Sequence, residues 1–307
     1  MDFGRVDDPG KLEGFDPTLP PDAPGTARVL ELYRLNPPEP RLRVGAPVWA
    51  HPKLAQRLYP KGLKGSAAFA VYGQAFNTIE LNSTFYSDPR EELARLSAAV
   101  PETFRFAPKL PRAITHDARL VGEDASLERF ASALERLGPQ RGPAWALLPP
   151  GFGPSESATL ERFLDAWGDA LHPLAVEVRE PEWFSDPGAL ERLAAVCERH
   201  RTALVITDVI GRRDVLHMRL TAPFAFVRFT GNRLHASDFT RLEAWLERLA
   251  EWFEGGLREA WLFLHQPDEG LVIELAQQVS DFARERLSLE IARPQAMPVE
   301  RQGDLFL

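Results

Sequence analysis

LAVEVREPEWFSDPGALERLAAVCERHRTALVITD, residues 174–208, decides how the chain is read. Leu174–Arg179 and Ala203–Asp208 are short apolar runs of strand length. Between them Pro187–His200 carries apolar residues at helical spacing, and Asp186 before Pro187 is a helix-start signal. The unit is strand, helix, strand, and two strands joined by a helical crossover lie parallel.

The alternation continues outward in both directions. Further strand-like runs occur at Leu42–Ala46, Thr78–Asn82, Phe104–Lys109, Trp145–Leu148, Phe224–Thr230 and Ala260–His265. Strand ends at Ala46 and His265 set a mean repeat of about 31 residues, the size of one βα unit. Helical spacing fills Pro89–Val100, Ser126–Leu137, Ser155–Leu171, Asp238–Phe253 and Leu271–Arg286. Eight strands alternating with helices predict an α/β fold, a single (β/α)8 TIM-like barrel over residues 41–292. An open doubly wound sheet would want a glycine-rich first turn, which Gly45-Ala46-Pro47 does not supply. Residues 1–40 hold eight of the 27 prolines and read as an extended N-terminal arm with one short helix at Ala27–Tyr33. Residues 293–307 read as an exposed C-terminal tail.

Composition narrows the function. With 36 Lys+Arg against 44 Asp+Glu the formal charge is −8, which argues against a protein that coats nucleic acid non-specifically. No apolar run approaches the ~18 residues of a membrane span. The start, MDFGRVDDPG, has neither a basic nor an apolar leader region, so a cytoplasmic location is expected. One cysteine, Cys197, excludes an internal disulfide and any multi-cysteine metal site. It sits on the apolar helix face Leu193–Glu198 and reads as an inert core thiol. There is no P-loop, no G-x-S-x-G elbow and no dinucleotide fingerprint, so no nucleotide cofactor is expected.

In such a barrel the chemistry lies at the C-terminal strand ends, and these ends are polar. Strand two closes on Glu80-Leu81-Asn82 and runs on through Thr84 to Tyr86; strand three closes on Lys109, with His116 soon after. Strands five to eight close on Glu177 and Arg179, on Asp208, on Arg228 and Thr230, and on His265. The strand period of two makes Glu80 and Asn82 co-facial, and likewise Glu177 and Arg179. A charged pair inside an apolar strand is costly unless paired, so a structural ion-pair network and a binding site both fit. Only five of the 36 basic residues are lysine, and a lysine at a strand end suggests that a compact or titratable amine is wanted. Lys109, Arg179 and Arg228 would form a positive site for a phosphate or carboxylate, with Trp49 and His51 in the first loop beside it. Glu177, Asp208 and a histidine could instead hold a divalent metal, although no compact ligand motif is present.

At these residues the chain resembles the YecE-like family, domain-of-unknown-function family 72. The resemblance rests on Gly45…Trp49-Ala50-His51-Pro52, the block Phe76-Asn77-Thr78-Ile79-Glu80-Leu81-Asn82-Ser83-Thr84-Phe85-Tyr86, and Phe104-Arg105-Phe106-Ala107-Pro108-Lys109-Leu110-Pro111. Ile114-Thr115-His116, Val176–Arg179, Val227-Arg228-Phe229 and Phe263-Leu264-His265 continue it. It implies a TIM-like barrel and a site at the strand ends, and brings no reaction with it. The chain departs from the family at Thr230-Gly231 and His265-Gln266, where many members carry Asn or His-Gly.

The leading expectation is an enzyme, a hydrolase, phosphoesterase or isomerase, acting on a small anionic substrate that extends to damaged nucleic acid. Trp49, Glu80, Asn82, Thr84, Tyr86, Arg179, Arg228 and His265 would bind substrate; Lys109, His116, Glu177 and Asp208 would do the chemistry. A metal-dependent isomerase or hydrolase is a second expectation. The third comes from the tail. Gln302, Leu305 and Phe306 in Gln-x-x-Leu-Phe resemble the short peptide by which bacterial polymerases and repair proteins dock onto the DNA sliding clamp, which would make the chain a recruited, non-catalytic binding protein.

Overall fold

Eight strands form where eight were expected, in a computed structural model that describes residues 3–297 apart from 5, 7, 9, 11, 35–38, 87–89, 123 and 172. They are β1 (Arg41–Gly45), β2 (Thr78–Leu81), β3 (Arg105–Pro108), β4 (Ala144–Leu147), β5 (Leu174–Glu177), β6 (Ala203–Asp208), β7 (Phe224–Thr230) and β8 (Glu259–His265). All pairings are parallel. The strands make a six-stranded ladder in the order β1-β8-β7-β6-β5-β4 and a two-stranded ladder, β2-β3. Gln302, Leu305 and Phe306, and with them the expected clamp-docking segment, lie outside the described residues.

The two ladders meet on both sides through isolated contacts. Just past β1, the Glu80 amide donates to Ala46 O at 3.2 Å. A Cβ on Gly45 would stand 2.4 Å from Thr78 O, so only glycine lets β1 lie this close to β2. On the other side isolated bridges join Phe106 to Arg141 and Lys109 to Trp145.

The helices are α1 (Pro24–Tyr33), α2 (Pro52–Leu58), α3 (Gly65–Ala75), α4 (Arg90–Ser97), α5 (Asp124–Glu135), α6 (Ser157–Leu171), α7 (Glu182–Ser185), α8 (Pro187–Arg199), α9 (Ala236–Gly255) and α10 (Val272–Arg286). At α8 the expected cap is in place: the Asp186 carboxylate accepts from the Gly188 amide, and Pro187 opens the helix. The connection from β1 to β2, for which the sequence reading named no helix, holds both α2 and α3. None of the described helices is long and apolar enough to cross a membrane.

Side chains divide by the strand period. Ala107, Trp145, Leu147, Ala175, Ala203, Val205, Phe224, Phe226, Trp261 and Phe263 pack in one cluster of their own. Their opposite neighbours, among them Val176, Leu204, Ile206, Val227, Leu262 and Leu264, join the larger apolar layer that includes the helices. Continued two residues at a time, the first set leads from Ala107 to Lys109, from Ala175 to Glu177, from Val205 to Thr207, from Phe226 to Arg228 and from Phe263 to His265.

The proline-rich arm runs along the strands, touching the segment that leads into β7 and, nearer the N-terminus, the C-terminal ends of β5 and β6. Thr26 Oγ1 donates to Met218 O at 2.9 Å and accepts from the Leu220 amide at 3.0 Å, and the helix expected at Ala27 begins at Pro24. Gly25 lies against the buried Arg219 guanidinium, where a Cβ would come within 2.1 Å of two of its atoms. Farther back, the Gly211 amide donates to Gly4 O at 3.0 Å, and the Phe3 ring stacks 4.0 Å from the Arg179 guanidinium and 4.7 Å from that of Arg212.

Candidate functional site

Five strands bring one charged cluster together at their C-terminal ends. Glu80 is fully buried, and its oxygens accept four bonds: Oε1 from Asn82 Nδ2 and Arg228 Nη2, both at 3.0 Å, and Oε2 from Arg228 Nε at 2.9 Å and His265 Nε2 at 3.1 Å. Glu177, 1% exposed, accepts from Arg179 Nε at 2.6 Å, Thr207 Oγ1 at 2.9 Å and Arg228 Nη1 at 2.9 Å. Burial works to raise the pKa of both carboxyls. For Glu80 it is outweighed by Arg228 and His265, which hold the group well below the ordinary carboxylate range. For Glu177 it is outweighed by Arg179 and Arg228, and the pKa is likewise lowered. The arrangement favours the ionised form of both carboxyls, and Glu177 contacts two arginines at once.

Trp145 forms the floor. The Lys109 ammonium lies 4.8 Å from the centre of its ring and the Arg228 guanidinium also 4.8 Å, while Lys109 stands 4.3 Å from the Phe85 ring. Among the described residues no carboxylate forms an ion pair with Lys109, although the side chain is 7% exposed. Burial, helped by Arg228, pushes the amine down to about 8. Thr84 acts from behind, its hydroxyl 2.6 Å from Lys109 O and 3.0 Å from Leu81 O.

The remaining expected residues fall into two groups. His116, in a single π-helical turn (Ala113–Asp117), stacks edge-on against Phe85 at 5.1 Å and hydrogen-bonds Thr115 Oγ1 through Nδ1. Burial and then Lys109 lower its pKa. Tyr86 packs edge-on against Phe85 at 4.9 Å and is 78% exposed, so it stands at the rim. Trp49 packs against Phe69 on α3, and its carbonyl accepts from Tyr59, so it supports the first loop.

Asp208 is not in the cluster. Thr207 points at Glu177, so Asp208, one residue on, points to the other side of the strand. Its Oδ1 accepts from Arg213 at 2.7 Å and Arg241 at 2.8 Å, and its Oδ2 from Trp245 Nε1 at 2.7 Å. It anchors β6 to α9 and the following loop. The metal set of Glu177, Asp208 and a histidine therefore does not assemble, and no group of three or more His, Cys, Asp or Glu among the described residues could hold a metal ion. Cys197 is buried, and burial pushes its thiol up to about 12.

Four residues of the site escaped the sequence reading. Phe85, Trp145 and Thr207 carry no charge. Glu269 lies in the turn after β8, where burial and then Glu80 raise its carboxyl to about 7, and its Oε2 is buried without a partner. At the departures from the family pattern, Gln266 Nε2 donates to Asp238 and its Oε1 accepts from the Arg233 amide. A Cβ on Gly231 would stand 2.2 Å from that Gln266 side chain, so the two positions fit each other.

Fold and site together define an α/β protein with helix-covered parallel strands, carrying a buried cluster of two carboxylates and three cations at the strands' C-terminal ends. The family described as "Protein of unknown function DUF72" matches residues 43–299, and the chain belongs to it. It is 29% identical over 282 residues to UPF0759 protein YecE of Escherichia coli strain K12, covering 86% of this chain and 99% of that one; the match to YecE of strain O157:H7 has the same figures. Two crystal structures of a DUF72 family protein from Enterococcus faecalis V583 have the same fold. One superposes with a TM-score of 0.66 at 18% identity over 84% of this chain and all of the other; the second gives 0.63 at 18% over 81% and 98%.

Proposed function

We propose that the chain is an enzyme for a small anionic substrate bound at the strand ends, and that its strands close as a (β/α)8 barrel. Closure is supported by the isolated backbone contacts on both sides of β2-β3 and by the separate apolar cluster in register with the site. The observation that carries the functional reading is Lys109. Glu80, Glu177 and Arg228 satisfy one another, whereas the Lys109 ammonium faces two aromatic rings and, among the described residues, forms no ion pair with a carboxylate. Lys109 thus adds to the cluster a cation with which neither Glu80 nor Glu177 forms an ion pair, which suits an incoming anion.

Thermal shift with inorganic phosphate, sulfate and phosphorylated metabolites tests the reading. A ligand at about 100 times its Kd should stabilise the fold by ~2.7 kcal/mol. The shift should be present in the wild type and absent in Lys109→Met, which keeps the side chain's length without its charge. No shift by any anion, or an equal shift in both proteins, refutes the assignment.

A further inference from the structure

The cation that forms no ion pair among the described residues, Lys109, is a lysine. The chain uses arginine almost everywhere, with only five lysines among 36 basic residues, and the cluster already holds Arg179 and Arg228. A guanidinium holds a carboxylate or phosphate by two parallel bonds, which an ammonium cannot do. What an ammonium offers and a guanidinium does not is release of its proton to give a nucleophilic amine.

The surroundings favour that release without preventing the return to a cation. Among the described residues no carboxylate forms an ion pair with the nitrogen; Glu80 and Glu177 act on it only at a distance, their oxygens turned to the arginines, and burial outweighs them. The faces of Phe85 and Trp145 stabilise a positive nitrogen with little hydration, whether ammonium or iminium. The Lys109 backbone is fixed from both sides, its amide donating to Leu81 O at 3.0 Å and its carbonyl lying 2.6 Å from Thr84 Oγ1, so the side chain starts from a defined point. His116 stands across Phe85 as a group able to take up and return a proton.

We infer that Lys109 is a nucleophile that condenses with a small anionic carbonyl compound, such as a 2-oxo acid or a phosphorylated aldehyde, to form an imine. The neutral amine adds to the carbonyl carbon: the C–N bond forms, the carbonyl π pair moves to oxygen, and the oxygen takes a proton. The carbinolamine then loses that oxygen as water while nitrogen supplies the C=N pair, so amine plus carbonyl gives imine plus water. Nitrogen keeps one further proton as the iminium, and no oxidant or reductant is required. The inference rests on the anion-site reading above and gives that site's substrate class. Burial lowers the amine to about 8, so about a tenth of it is neutral at pH 7, against less than a thousandth for an ordinary lysine.

Reductive trapping on the full chain is the test. The protein is incubated at pH 7 with pyruvate, glyoxylate or glyceraldehyde 3-phosphate and cyanoborohydride, and adducts are located by peptide mass mapping. The other lysines are internal controls, and Lys53, Lys61 and Lys64 are exposed. Lys109 should be labelled at least about tenfold faster than those three, and excess inorganic phosphate should suppress it. Labelling of Lys109 no faster than the exposed lysines with all three compounds overturns the inference. If the phosphate thermal shift persists in that case, the anion site stands and only the imine falls; if both fail, the site reading falls too. Equal labelling by acetone would refute the requirement for an anionic substrate.

Discussion

Arg228 on β7 reaches Glu80 on β2 through two charge-assisted hydrogen bonds, 2.9 Å from Nε to Oε2 and 3.0 Å from Nη2 to Oε1, and so ties the two-stranded ladder to the six-stranded one. Its Nη1 holds Glu177 on β5 at the same time. Removing Arg228 would leave Glu80 buried without its strongest partner and Glu177 without one of its two arginines, at a cost of about 3–5 kcal/mol. Arg228→Met should lower the urea midpoint accordingly, and Glu80→Gln in the same chain should recover part of the loss, with a coupling of about 1–3 kcal/mol. Additive losses would mean that the pair contributes nothing to holding the ladders together.

Anion binding should depend on pH through Lys109. Below about 8 the side chain is an ammonium; above that value it loses the charge that attracts the ligand. Phosphate affinity measured by calorimetry should therefore fall on going from pH 7 to pH 9, although phosphate itself completes its second ionisation over that interval and would otherwise bind better. A flat profile across pH 8 removes Lys109 from the binding charge.

His217 predicts a loss of stability in mild acid. Its Nε2–H donates to Val205 O, and its Nδ1 accepts from the Arg219 amide, both at 3.1 Å, so the folded chain selects the neutral ring. Burial lowers its pKa from 6.5 to about 4. Between those values the unfolded chain takes up a proton that the folded chain refuses, so stability falls as pH drops from about 6.5 to about 4, by ~2–3 kcal/mol. His217→Gln should flatten that part of the stability–pH curve. A variant with an unchanged slope would assign the acid loss to other groups.

Glu269 behaves in the opposite sense. Its carboxyl is raised to about 7 by burial and then by Glu80, so the folded chain prefers it protonated, and its contribution to stability is lost as pH rises from about 4.5 through 7. Glu269→Gln keeps the shape without the charge and should be more stable than wild type by about 1–2 kcal/mol at pH 8, converging with it below pH 4.5. Parallel denaturation curves at both pH values would contradict this.

The strands were legible because each combines a short apolar run with a polar end, and runs such as Phe226–Arg228 and Phe263–His265 carry their alternation into the site. The same rule, applied strictly, separates Asp208 from the cluster: Ala203 and Val205 share a face with Thr207, so the acid belongs to the opposite one. Counting polar strand ends without their phase put it in the site. Trp145 was hidden because β4 ends without a charged group, and its importance comes from two cations placed over its ring by β3 and β7. Glu269 follows no periodic element, and its burial is a product of tertiary packing. How closely β1 approaches β2 depends on Gly45, a matter of backbone contact that composition does not reveal.

The arm residue Phe3, resting on Arg179, makes the site sensitive to how a sample has been handled. Glu13 and Gly14 are exposed, between the Phe3 contact and the anchoring bonds of Thr26. A protease that cuts there would release the ring while leaving the strands untouched. Nicked and intact molecules would then migrate together on a sizing column yet present Arg179 to arginine-directed reagents and to ligands in two different environments. A titration curve with two components should therefore prompt a check of N-terminal integrity before it is taken for two binding sites.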